Sequence, residues 1–210
     1  MSSMCLQFDI IGQTTDFSWV GIIGSSSVNI SLDGAQVIQS IQGKNFKYVG
    51  TIGEQDYAYT QIQYLSITVY LISQMGSQVG SIYGSQTALN CSISGARIYK
   101  SNISSGYEIG GFIGYSDSNT TIFGSSISDL NISGQNYVGG LISQTKQTLY
   151  LIEANTYDLF LYCSNSVFGA VVAQLVGTWT VSKCSSQSTI NGVMLEYCWV
   201  LSNIWSVRGC

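Results

Sequence analysis

A glycine followed two residues later by a branched aliphatic residue recurs through this chain at a nearly constant interval, and that interval decides what the chain can become. The copies are Val20-Gly21-Ile22-Ile23, Val49-Gly50-Thr51-Ile52, Val79-Gly80-Ser81-Ile82, Gly110-Gly111-Phe112-Ile113, Gly139-Gly140-Leu141-Ile142 and Phe168-Gly169-Ala170-Val171. With Gly21, Gly50, Gly80, Gly111, Gly140 and Gly169 as anchors, the steps are 29, 30, 31, 29 and 29 residues, and another 29 reaches Cys198 in a degenerate seventh copy. The residue two past each anchor is β-branched throughout, whereas the one between runs through Ile, Thr, Ser, Phe, Leu and Ala. Such alternation predicts a strand whose glycine and branched residue face a core while the variable residue faces out. On that expectation Ile113→Asp is far more damaging than Phe112→Asp.

Between anchors each unit carries two further short alternating segments, as in Thr121-Ile122-Phe123 and Leu130-Asn131-Ile132, separated by Gly-, Ser- and Asn-rich bends. Three short strands per unit are expected, with no helical stripe anywhere. A unit of this size cannot bury its apolar face alone and must stack on copies of itself. It is too short for a propeller blade and lacks a leucine-rich frame. The fold class is therefore all-β: a parallel β-solenoid, or β-helix, with a coil period of 29 to 31 residues. Residues 1–210 form a single array of six to seven coils, read as a fragment of a longer repeat protein. Each strand would pair with its counterpart one turn on, about 4.8 Å away. Every interior N–H is then consumed, which suits a chain with no Pro, and stacked like charges would repel, which suits a charged content of 9%.

Composition excludes several functions. There is no His, hence no Ser/His/Asp or Cys/His pair and no His-bearing zinc site, and no cofactor motif is present. A net charge of −4 with seven Lys plus Arg argues against a nucleic-acid face. The most apolar stretch, Val167 to Val181, is too short to span a bilayer, so no transmembrane segment is expected, and Met1 to Gly12 shows no signal peptide. Six cysteines at 5, 91, 163, 184, 198 and 210 form no C-x-x-C pair and read as small buried side chains.

The segment Gly110 to Ser143, GGFIGYSDSNTTIFGSSISDLNISGQNYVGGLIS, resembles tandem copies of the GLUG motif, a Gly-Leu-x-Gly repeat of surface and secreted proteins. The likeness is good from about Gly80 to Ser143 and departs at Thr51, Ser81, Tyr83 and from Thr145 onward. The resemblance implies an extracellular β-solenoid stalk or adhesive region. It brings no catalytic residue, because the motif is structural in that family.

Three sets of residues could carry chemistry on the coils. Five Asn-x-Ser/Thr sequons stand at Asn29, Asn90, Asn102, Asn119 and Asn131, open to N-glycosylation or, more simply, to stacking at coil corners. Aromatics before the anchors, Trp19, Tyr48, Tyr107 and Tyr137, would form an outer ladder able to lie against sugar rings or merely to stiffen the coil. Eleven acids are scattered: Asp9, Asp16, Asp33, Glu54, Asp56, Glu108, Asp117, Asp129, Glu153, Asp158 and Glu196. Asp56 and Asp117 are both six past their anchors, but Gln86 holds that place between them and no base joins them, so only a fragment of a carboxylate site is expected. Both ends, Leu6 to Gly12 and Ile204 to Cys210, read as uncapped coil edges that invite flanking repeats or end-to-end self-association. The expected function is a non-catalytic structural or adhesive region of a cell-surface or secreted protein, with a glycan or protein ligand. The alternative is a carbohydrate-binding or carbohydrate-cleaving β-helix using the aromatic ladder and the acids.

Overall fold

The computed structural model describes residues 4–11, 17–43, 46–56, 59–73, 77–164, 167–192 and 198–199. Asp16, Glu196, Cys210 and the stretch Ile204 to Cys210 lie outside them. Every regular element among the described residues is a β-strand, and all strand pairs are parallel. The chain winds as a β-solenoid. One coil runs Glu108–Gly110, Ile113–Ser116, Asn119–Phe123 and Ser126–Gly134, so a turn holds four strands rather than the three expected. The difference arises where the glycine motif stands: it is a bend joining two short strands, not the middle of one.

Each strand pairs only with its equivalents one turn before and one turn after. The long strands, such as Arg97–Ser104, form sheet A, and those ending at the glycines, such as Glu108–Gly110, form sheet B, seven strands each. The next two positions, such as Ile113–Ser116 and Asn119–Phe123, form sheets C and D, six strands each. Seven rungs at about 4.8 Å make sheet A a prism face about 30 Å long.

The pairing corrects the register inferred from the motif. Gly80 pairs with Gly110, Gly110 with Gly139 and Gly139 with Gly169, so the true column is Gly50, Gly80, Gly110, Gly139 and Gly169 rather than one through Gly111 and Gly140. Trp199, not Cys198, continues it. Tyr83 likewise pairs with both Ile52 and Ile113, and Val172 with Ile142, displacing Ile82 and Val171 from the branched column. The cause is one residue inserted into the bend. Val49-Gly50-Thr51-Ile52 turns with one residue fewer than Val79-Gly80-Ser81-Ile82-Tyr83, so the two look alike in sequence yet pair one position apart.

Both bend residues face inward, which corrects the expected alternation. Thr51, Ser81, Phe112, Leu141 and Ala170 are all buried, Phe112 completely so, and only Ile22 of the first coil is exposed. Glycine is required at these columns by backbone approach. A Cβ on Gly110 or Gly139 would lie 1.9 Å from the carbonyl oxygen of Ile113 or Ile142, and one on Gly114 would lie 2.4 Å from the Val79 nitrogen. Sheets B and C thus touch main chain to main chain. Around that contact the core is aliphatic, with Val49, Val79, Ile109 and Val138 from sheet B and Ile62, Ile93, Ile122 and Leu151 from sheet D fully buried.

A second column governs the corner between sheets D and A. Gly34, Tyr64, Gly95, Gly124, Glu153 and Lys183 all have φ between 51° and 64°, and the N–H of each of the first five bonds to the next coil. Half of these left-handed positions carry side chains, so the glycine signal is diluted in the sequence. A second left-handed column, Lys100, Asp129 and Asp158, is a bulge within sheet A. It opens between Ser66–Ser73 and Arg97–Ser104, where three residues face two, and closes before Ser185–Gly192.

Candidate functional site

Because successive coils repeat the same backbone, side chains from residues about 30 apart fall into outward rows. The row on sheet B reads Trp19, Tyr48, Gln78, Glu108, Tyr137 and Val167. Three of the four expected aromatics are therefore aligned, but Tyr107 is not: it lies in the bend before Glu108, where its carbonyl accepts the Tyr137 N–H at 2.9 Å. The ladder is interrupted by an amide and a carboxylate. Tyr107 stands three before Gly110, whereas Trp19, Tyr48, Glu108 and Tyr137 each stand two before the glycine of their coil.

The neighbouring row on sheet C reads Ser25, Glu54, Ser85, Tyr115, Gln144 and Gln174. The two rows meet along a seam, since Trp19 Nε1 donates to Glu54 Oε2 across it. Lys47 lies 4.7 Å from the ring centre of Tyr48, and Lys146 lies 5.2 Å from that of Tyr115. Burial raises the Glu108 carboxyl above the usual range, with Gln78 and Lys146 pulling it partly back. Burial likewise raises Glu54, against the hydrogen bond from Trp19 and reinforced by Asp56. Glu108 Oε2 and the side-chain amide oxygen of Gln78, Oε1, are buried without a partner. The seam thus sets aromatic rings beside carboxyls that hold their protons longer than exposed acids do.

The acids around Asp56 and Asp117 are placed differently from expectation. Thr87 pairs with Asp56, and the Asp117 N–H bonds to Gln86 O, so Thr87 rather than Gln86 stands between the two acids. The Lys146 N–H bonds to Ser116 O, which puts a base next in the column after Asp117. Thr87 donates to Asp56, and Gln147 donates to Asp117 at 2.9 Å. Two rungs, about 9.6 Å, separate the carboxylates.

All five sequon asparagines are exposed. Asn29, Asn90 and Asn119 share a column at the start of sheet D with Tyr59, whose N–H bonds to the Asn29 side chain at 3.0 Å. Asn102 pairs with Asn131 on sheet A. In each sequon the middle residue, Ile30, Cys91, Ile103, Thr120 or Ile132, points inward. The out-in-out order of a strand with hydroxyl and amide rows therefore produces the sequon pattern by itself.

Cys91 and Cys163 are buried free thiols, as read from the sequence, while Cys5 is exposed and Cys184 half-buried. Burial pushes the Cys91 thiol up to about 12. The side chains of Cys198 and Cys210 lie outside the described residues. Among the described residues no group of three or more acidic or cysteine side chains could hold a metal ion, and no helix is long and apolar enough to cross a membrane. No protein-family model, curated protein or solved structure matches the chain.

Proposed function

We propose that the chain is a non-catalytic, rigid β-solenoid region of a cell-surface or secreted protein, which spaces or displays adhesive surface. The observation that carries this reading is the division of labour in the coil: inward positions are aliphatic columns joined by one polar column on sheet C, Gln55, Gln86, Ser116 and Thr145, and outward positions are in-register amides, hydroxyls and rings. A rod of that kind is stiff along its axis and presents one chemical row per sheet. The GLUG-like segment from Gly110 to Ser143 supports the extracellular placement. The exposed asparagines would accept N-glycans there, although pairs one rung apart, Asn90 with Asn119 and Asn102 with Asn131, are too close for both to be occupied. Ligands in this reading are a glycan or a protein at the surface. Labelling of intact source cells with a membrane-impermeant reagent tests it: the chain should be labelled without lysis, and labelling only after lysis would refute the placement.

A second reading rests on the seam between sheets B and C. Glu54 and Glu108, each raised by burial and set beside Trp19, Tyr48 and Tyr115, form the arrangement a carbohydrate-cleaving β-helix would use. Reducing-sugar release from polysaccharides, abolished in Glu54→Gln or Glu108→Gln, would favour this reading over the spacer.

A further inference from the structure

The bulge in sheet A leaves a depression of about 370 Å3 on its outer face, away from the seam, lined among others by Asp9, Ser40, Tyr70, Lys100, Asn102 and Asn131. We propose that this face binds a neutral oligosaccharide lying along the rod axis, held by Tyr70 and Phe160 at either side of the Asn102–Asn131 amides. The proposal rests on the adhesive reading and names its ligand. Tyr70 pairs with Asn102, Asn102 with Asn131 and Asn131 with Phe160, so ring, amide, amide and ring follow one another on successive rungs. Tyr70 and Phe160 are 44% and 39% exposed, and Tyr157 and Tyr162 flank Phe160 with 43% and 41%, which leaves ring faces open to stack on a sugar.

The polar lining sets the ligand class. Amides, hydroxyls and carboxylates supply donors and acceptors in the mixture that a polyol needs, with Lys100 and Asp129 raised into αL at the rim. One cation against Asp9 and Asp129 does not suit a polyanion. An extended peptide would want unpaired strand edges, whereas the N–H groups here are spent in the ladder; Val69 N, left over by the bulge, is taken by Ser101 Oγ at 3.0 Å. In the depression Asn102 and Asn131 are ligand-facing amides, and an N-glycan on either would block the site.

The test uses the full 210-residue chain made in bacteria, free of N-glycans, on an array of neutral gluco-, manno-, galacto- and N-acetylglucosamine oligosaccharides, followed by calorimetry on the hits. At least one oligosaccharide should bind, and Tyr70→Ala with Phe160→Ala should weaken it roughly tenfold, while Tyr48→Ala with Tyr137→Ala leaves it unchanged. Silence across the array, or binding that survives the first pair of changes, overturns the proposal. Loss only with the second pair overturns it as well, by moving the ligand to the seam. Circular dichroism and small-angle scattering on the same samples keep the outcomes separate, because an intact rod that binds nothing refutes the ligand and leaves the scaffold reading standing.

Discussion

Glycine is used in two physically different ways in this chain, and substitution separates them. At Gly139 a new Cβ would be driven into the Ile142 carbonyl at 1.9 Å, a backbone atom that cannot turn aside. Gly139→Ala should therefore cost about 3 kcal/mol or more in urea unfolding. At Gly124 nothing lies within 4 Å, and only the positive φ of 56° opposes a side chain. Gly124→Ala should cost about 1–2 kcal/mol, the ordinary penalty of a left-handed L-residue. The same denaturation series decides the orientation of the bend. Phe112 and Ile113 are both fully buried, so Phe112→Asp and Ile113→Asp should each cost about 3–5 kcal/mol. A cheap Phe112→Asp would restore the simple alternation and refute the double-inward bend. At this scale the sequence revealed the glycine and the aliphatic column but not their partners, because an extra bend residue leaves Gly-x-Ile intact while sliding the pairing by one.

At the scale of the element, burial of polar groups gives the sheets a measurable dependence on pH. The corner between sheets C and D encloses Tyr83, whose hydroxyl burial raises well above its usual range, and Cys91, raised to about 12 from an ordinary thiol value of 9.0. Both groups are neutral in the folded chain and ionise more readily once it unfolds. Their stabilising effect is thus complete below the unfolded thiol value and falls as pH climbs from 9.0 toward 12. Cys91→Ala should show a shallower loss of melting temperature over that range than the parent chain. Glu108 follows the same sign in acid: its raised carboxyl means that the folded state gives up the proton reluctantly. Glu108→Gln should match the parent below the ordinary carboxyl range and exceed it in stability at neutral pH. A parent that gains stability over the variant on going from pH 4 to 7 would show that Glu108 is well paired instead. Glu108, Tyr115 and Lys146 were not legible as a group beforehand, because their proximity comes from rows of adjacent sheets that meet at a seam, and no spacing within one strand encodes it.

The whole molecule behaves as a stack of equivalent rungs. Period, parallel pairing and the absence of helix could be read directly from the chain, since a 29 to 31 residue interval with no Pro admits few other folds. The fourth strand could not, because Ile113–Ser116 and its counterparts are only four or five residues long and lie directly after the bend. Equivalence has a consequence for engineering. Gly110 and Gly139 occupy the same place in successive coils, so removal of residues 110–138 joins Ile109 to Gly139 with the register kept. The shortened chain should fold, retain its β spectrum and lose about 4.8 Å of rod length in scattering. Collapse to an unfolded chain would show that the coils are not interchangeable.

Because the ladder is made by main-chain groups and the interior is filled by inward side chains alone, nothing in the scaffold asks what stands at an outward position. Any rung of the sheet A face can exchange an amide for a ring, or a ring for a charge, while its neighbours stay put. Recognition can then be rewritten one letter at a time, as on a printed strip whose paper is indifferent to the text.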